Sequence, residues 1–333
     1  MFLFIKNPGP IDFRVVQWHS AGMSLLAFLK LFPDDEACWA HLETVRWPHG
    51  PVCAHCGVIN RSHFDGRAHY RRCNACKGRF RVTHGTPLEG THLPMRVWFT
   101  ALYLVAVSSK GISSVKLAEQ LGVGQKTAWF LGQRIRRMMD DKEGLLKGIV
   151  EVDETYLGGK KRKKGQPSKR DPDDDQPVGR SGTRKIMVTV ATERDGRARA
   201  AKGKTHSERT IAAFVLANLD IGQTVFVSDE LPAYRWIGSK FRAHLHINHS
   251  KGEYVRRDPL AVATAHTNTA ESFNATVKRA VIGVWHWFSI KHTDRYLAEV
   301  SFRWNRRKQS ADARLAGLFA GNAGRLRWKE LVA

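Results

Sequence analysis

Two C-x2-C pairs, Cys53-Ala54-His55-Cys56 and Cys73-Asn74-Ala75-Cys76, stand sixteen residues apart and restrict what this part of the chain can become. Each pair suits a tight knuckle that aims two thiolates at one point, and two knuckles close a tetrahedral site of the zinc-ribbon type. One structural Zn²⁺ is expected on Cys53, Cys56, Cys73 and Cys76. The apolar start Met1–Ile5 is short for a secretory leader and lacks a basic flank, so a reducing compartment is expected, where disulfides do not persist. Cys38, the fifth cysteine, reads as a buried apolar residue of a helix. Arg61, Arg67, Arg71, Arg72, Lys77, Arg79 and Arg81 make the ribbon basic, which suits DNA contact or a solvated face.

Charge narrows the partner. Lys and Arg number 54 against 31 Asp and Glu, a net +23, which favours a polyanion and binding driven by counterion release. An anionic membrane surface would answer the same charge, but no apolar run reaches the roughly 18 residues of a spanning helix.

Ahead of the ribbon, Ser24 to Trp47 reads as one or two amphipathic helices, the second starting at Pro33-Asp34-Asp35-Glu36. Residues 1–22 read as an extension preceding a start at Met23. Beyond the ribbon, Met95, Trp98, Phe99, Leu102, Tyr103 and Ala106 recur at core-helix spacing. A capped helix Val115–Leu121, a turn at Gly122-Val123-Gly124 and a basic helix from Gln125 then form a helix-turn-helix pattern. In such a motif the N-terminal residues of the second helix face base edges, which nominates Gln125, Lys126 and Thr127, with Gln133 and Arg134 as secondary DNA contacts. An ordinary helical hairpin would show the same apolar positions.

Three carboxylates carry the chemistry. Leu146, Ile149, Val150 and Val152 have strand character, and Leu157-Gly158-Gly159 stops the run, leaving Asp153 at or near the strand's C-terminal end. Thr224 to Asp229 repeats the pattern, with Pro232 breaking the extension. Glu271 opens a predicted helix in which Asn268 and Glu271 have the spacing of an N-cap and its reciprocal partner. Glu271 and Lys278 share one face, about two turns apart, while Phe273, Val277 and Val281 form another. Oxygen ligands from three segments suit two Mg²⁺ or Mn²⁺ ions at a phosphoryl-transfer site. A lone Asp at a strand end is an ordinary turn former, and it is the combination that points to catalysis. Glu151, Glu154 and Glu230 read as neighbours outside the ligand set.

The phrases VDETYLGGK, VSDELPAYRW and HTNTAESFNATVKR, followed by KHTDRYLAEVSFRWNRR, resemble the DDE transposases of the insertion-sequence 1595 family, from about Met23 to about Arg307. The resemblance implies an RNase H-like catalytic domain with Asp153, Asp229 and Glu271 as its metal triad and Lys278 as a basic residue touching DNA beside it. Relatives carry Asn or His at the third position, so Asn268 and His266 are the alternatives to Glu271. It further implies binding of terminal inverted repeats, metal-dependent cleavage and strand transfer, double-stranded DNA as partner at element ends and target, and a dimer or larger assembly. The location implied is the bacterial cytoplasm, with the nucleoid. A transposase-derived DNA-binding regulator without catalysis is the alternative class.

The expected fold is multidomain α+β. It divides into the extension 1–22, N-terminal helices and a four-cysteine zinc ribbon at 23–90, a helical helix-turn-helix region at 91–145, an α/β RNase H-like catalytic domain at 146–310, and a tail at 311–333. Within the catalytic part, strands Ile186–Ala191 and Ala198–Ala201 join at a hairpin turn on Asp195-Gly196, and a helix capped by Ser207 follows. The charged stretch Lys160–Arg170 reads as a DNA-clamping or solvated loop, and Trp285 to Phe288 as packing on the Glu271 helix or as a base-stacking platform.

Overall fold

The computed structural model describes residues 23–140, 144–158, 185–203, 207–248, 252–253, 255–257, 264–320 and 324–332. The extension 1–22 and the basic loop Lys160–Arg170 lie outside the described residues. The chain forms two compact units: the N-terminal part through Met139 joined by Lys308–Ala333, and Asp140–Arg307.

In the first unit, Ser24 and Asp34 start helices α1 (Leu25–Leu31) and α2 (Asp35–Arg46) by accepting the otherwise orphaned amides of Ala27 and Ala37. Strands β1 (Ser62–Phe64), β2 (Arg71–Cys73) and β3 (Arg79–Phe80) make a small antiparallel sheet. Helix α3 (Met95–Val107) begins after Pro94, which has no capping side chain, and Asp35 accepts the Arg96 amide at 2.8 Å in its place. Helix α4 (Ser114–Leu121) is capped by Ser113 and ends on Gly122 at φ 65°, a left-handed conformation suited to glycine. Helix α5 (Gln125–Met138) follows after Gly124. Phe28, Phe32, Trp98, Phe99, Leu102, Leu117 and Ile135 are all buried in this unit.

The second unit is built on one mixed sheet. Its strands are β4 (Leu146–Leu157), β5 (Ile186–Glu193), β6 (Ala198–Lys202), β7 (Leu219–Ser228) and β8 (Ala243–His246), in the order β6-β5-β4-β7-β8. The first three form an antiparallel meander, whereas β7 runs parallel to β4 and β8 parallel to β7. Helix α6 (Glu208–Asn218), capped by Ser207, leads into β7, and α7 (Pro232–Gly238) follows it. This is the RNase H-like arrangement that the resemblance implies. Alternation along β4 sends Leu146, Val150 and Val152 to one face, where Ile211, Val215, Phe226 and Tyr234 pack with them. Helices α8 (Asn268–Ala280) and α9 (Thr293–Asn305) cover the other face, with Phe273, Val277, Leu297 and Val300 against Val188 and Val190. Trp285 and Phe288 pack on Tyr296, with ring centroids 4.8 and 4.4 Å apart, while Trp287 is exposed.

The segment 311–333, expected as a separate tail, belongs instead to the first unit. It holds helices α10 (Ala311–Ala320) and α11 (Trp328–Val332), and Leu315, Leu318 and Phe319 recur at helical spacing and are buried. Phe319 lies 4.7 Å from Phe99, and Trp328 sets its ring against Trp129 and Phe130 of α5. Among the described residues, no helix is long and apolar enough to cross a membrane.

Candidate active site

Strand β4 continues to Leu157, so Asp153 lies inside it and not at its end. What ends there is the parallel pairing: the register between β4 and β7 runs to Glu151 opposite Val227, and Asp153 and Asp229 each stand two residues further on. The sheet thereby delivers both aspartates to one spot. Asp153 Oδ1 accepts the Glu154 amide at 2.8 Å and Oδ2 accepts Asn274 Nδ2 at 2.7 Å. Asp229 Oδ1 accepts the Leu231 amide at 3.1 Å, in the turn that leads into α7.

The third member of the group is Glu154. Asp153, Glu154 and Asp229 each bring a carboxylate oxygen within 4.8 Å of the others. The sequence reading put Glu154 outside the ligand set; in the structure it is half-buried in that group, and its Oε1 accepts the Tyr234 hydroxyl at 2.5 Å. Glu271 is exposed on the first turn of α8, outside the group of three but close enough for its charge to act on Asp153. Lys278 is exposed two turns further along. Burial raises the Asp153 carboxyl to about 6, with the charges of Asp229 and Glu271 adding to the rise. Burial likewise raises Glu154 to about 7, helped by Asp229 and Asp153 and opposed by the Tyr234 hydrogen bond. An all-oxygen set of this kind suits a hard divalent cation, whose charge would favour the ionised carboxylates.

Glu151 stays outside the ligand set, as its sequence reading has it, and is held by other partners. It is fully buried on β4, and it receives the start of α8: Oε2 accepts the amides of Thr269 and Ala270 at 2.7 and 3.1 Å, and Oε1 accepts the Thr269 hydroxyl at 3.1 Å. Arg194 Nε donates to Oε1 at 2.7 Å, and His266 Nδ1 lies 3.2 Å from the same oxygen. The predicted cap of Asn268 with Glu271 is therefore not formed. The N-cap is Thr267, without a side-chain cap bond, because a carboxylate from the sheet already takes the free amides of the first turn. His266 faces Glu151 and not the carboxylate group, and Asn268 is exposed. Asn274 and Tyr234 carry no signal of their own in the sequence, although Asn274 sits one turn after Glu271 and Tyr234 shortly after Asp229, both within the phrases that carry the family resemblance.

In the zinc ribbon, Cys53, Cys56, Cys73 and Cys76 are brought together from two knuckles. Cys53 and Cys76 sulfurs are 3.7 Å apart, as are those of Cys56 and Cys73. The edge of a zinc tetrahedron with Zn–S of about 2.3 Å is roughly 3.8 Å, whereas a disulfide would need about 2.0 Å, so the set fits Zn²⁺. The surrounding basic residues divide. Arg71 pairs with Glu43 and stacks on Phe64, Arg79 pairs with Asp65, and Arg81 lies over Tyr70, while Arg61, Arg67, Arg72 and Lys77 are exposed.

The helix-turn-helix residues divide as well. Gln125, Lys126 and Thr127 are exposed at the start of α5, with Lys126 Nζ 4.8 Å from the Trp328 ring. Gln133 and Arg134 are buried, so they are not groove contacts. Arg134 donates to the carbonyls of Pro87 and Glu89 and lies over the rings of Trp98 and Phe130, where an aromatic box satisfies its charge. Burial lowers it to about 10.

Residues 145–305 match the family described as ISXO2-like transposase domain, and residues 33–79 match the transposase zinc-ribbon domain. A protein described as uncharacterized, in transposable element ISH50 of Halobacterium salinarum, is 26% identical over 257 residues, covering 75% of this chain and 84% of its own. Among solved structures, the pre-cleavage Mos1 transpososome and the Mos1 strand transfer complex are 14% and 15% identical. Each match covers 72% of this chain and 82% of the other, with a TM-score of 0.23.

Proposed function

On the premise that the chain belongs to the insertion-sequence 1595 transposases, whose DDE and zinc-ribbon domains it carries, we propose that it binds the terminal inverted repeats of its own element and cuts and joins DNA there. The observation that carries this reading is the meeting of Asp153 and Asp229 where β4 and β7 stop pairing, inside the matched DDE domain.

Asp153, Asp229 and Glu271 are the residues to hold two Mg²⁺ or Mn²⁺ ions. When bound, such ions activate the attacking oxygen and take up charge on the leaving one. Asp153 is kept in place by Asn274 and by the Glu154 amide, and Glu151 fixes the start of the helix from which Glu271 projects. Lys278, on the same helix, supplies a cation for a phosphate beside the scissile bond. Water attacks phosphorus at the element end, and the bond to O3′ breaks to leave a 3′-hydroxyl and a 5′-phosphate. That hydroxyl then attacks a target phosphodiester, releasing the target's own 3′-hydroxyl. Positioning and charge suffice for both steps, with no covalent enzyme intermediate.

Gln125, Lys126 and Thr127 at the exposed start of α5 are assigned to the major groove, and the exposed cations of the ribbon to phosphates. The net +23 makes that binding salt-dependent. Joining two ends in one event calls for a dimer or larger assembly on DNA, working with the nucleoid in the cytoplasm. The test is to incubate the full chain with a labelled duplex carrying the element's ends and Mg²⁺. Nicked and joined products are expected; specific binding without products, in Mn²⁺ as well, would make it a DNA-binding regulator.

A further inference from the structure

We propose that Glu154 is a further carboxylate ligand of the metal site and that Tyr234 is its positioning residue, an inference that rests on the reading of that site given above. Neighbouring residues of a strand point to opposite faces. Asp153 pairs across from Val190, on the face that α8 covers, and Glu154 from Thr189, on the face that α7 covers. Two such carboxylates ordinarily diverge. Here they converge with Asp229, because the pairing of β7 ends beside them and the longer glutamate side chain can reach round the strand toward the gap.

A side chain that reaches in this way needs a restraint, and Tyr234 supplies it. Its ring is fully buried in the core shared by Val152, Phe226 and Ile237, and its hydroxyl donates to Glu154 Oε1. A buried phenol requires an acceptor, and a carboxylate engaged through one oxygen keeps its other oxygen for a cation. The segment Asp229–Tyr234 thus delivers one ligand and the restraint on another, with Pro232 setting the first turn of α7 between them. Glu151 makes the contrast plain: Arg194 and the start of α8 occupy both its oxygens, so it anchors the helix and does not serve the metal.

The experiment is Mn²⁺ binding by calorimetry on the full chain without DNA, for the native protein, Glu154→Gln, Tyr234→Phe and Asp153→Asn, with each variant's thermal midpoint recorded. Tyr234→Phe is expected to weaken Mn²⁺ roughly tenfold while the chain stays folded, the size typical of residues that orient a ligand. Glu154→Gln is expected to weaken it further. Native affinity in both variants, with Mn²⁺ binding lost in Asp153→Asn, would overturn the inference and leave the site reading standing. Native affinity in Asp153→Asn would overturn the site reading itself. Should Tyr234→Phe not fold, Glu154→Asp takes its place: it keeps the charge but withdraws it from Tyr234, so a loss supports the restraint and native affinity overturns it.

Discussion

Asn274 Nδ2 on α8 donates to Asp153 Oδ2 on β4 at 2.7 Å, which ties the helix bearing Glu271 and Lys278 to the strand bearing the central aspartate. Asn274→Ala removes one of the two hydrogen bonds that hold that carboxylate and is expected to slow single-turnover cleavage roughly tenfold or more, with binding to the element ends unchanged. An unaltered rate would mean that the contact plays no part in the reaction.

Glu151 is a stability residue. Removing one partner of a buried ionic network strands the others, here Arg194 and the start of α8, at a typical cost of about 3–5 kcal/mol. Glu151→Ala should lower the urea midpoint of the second unit accordingly, and Glu151→Gln should lose less because its amide oxygen can still accept a hydrogen bond. A midpoint within error of the native one would contradict this role.

On α5, exposure separates the residues proposed for DNA recognition, Gln125, Lys126 and Thr127, from the buried Gln133 and Arg134. Lys126→Ala and Thr127→Ala are expected to weaken specific binding in a gel-shift assay without moving the melting temperature. Arg134→Ala should do the reverse to stability first, since it empties the box of Trp98 and Phe130 and leaves the carbonyls of Pro87 and Glu89 without their donor. If Arg134→Ala melted normally yet lost sequence preference, its assignment as a packing residue would be wrong.

For the ribbon, the expected metal content is one zinc per chain, reduced to none in Cys73→Ser, as read by elemental analysis after dialysis. A full complement of zinc in that variant would exclude the four-thiolate site.

His41 carries a pH dependence of the first unit. It lies edge-on to the rings of Phe32, Phe99 and Phe319, and burial lowers it to about 4 from an ordinary 6.5. A histidine depressed in the fold takes up its proton in the unfolded chain first, so its contribution to stability is full above about pH 6.5 and is lost as pH falls toward 4. That loss is at most about 3–4 kcal/mol, from 1.36 kcal/mol per pH unit. His41→Phe should flatten the acid side of the stability profile of this unit; an unchanged profile would count against it.

Much of this was legible in the chain because it rests on short-range pattern. Four cysteines at ribbon spacing, a Gly-containing turn between a capped helix and a basic one, and two apolar runs leading to aspartates each declare themselves within a few residues. The failures share a different cause. Glu154 looks idle on strand alternation, and only the end of β7 pairing brings it to Asp153. Glu151 looks like any carboxylate until Arg194, Thr269 and Ala270 arrive from far along the chain. Gln133 and Arg134 read as secondary DNA contacts on a basic helix, yet both are buried, and Trp98 and two carbonyls enclose the arginine. The final helices carry apolar residues at helical spacing, but their partners Phe99, Trp129 and Phe130 lie far back along the chain.

The most direct measurement is cleavage of an end-labelled duplex carrying the element's terminal repeat, with Mg²⁺, by the native chain and by Asp153→Asn at matched DNA occupancy. A nick that exposes a 3′-hydroxyl is expected with the native chain, and binding without a nick for the variant. Equal cleavage by both would contradict the placement of the chemistry at Asp153.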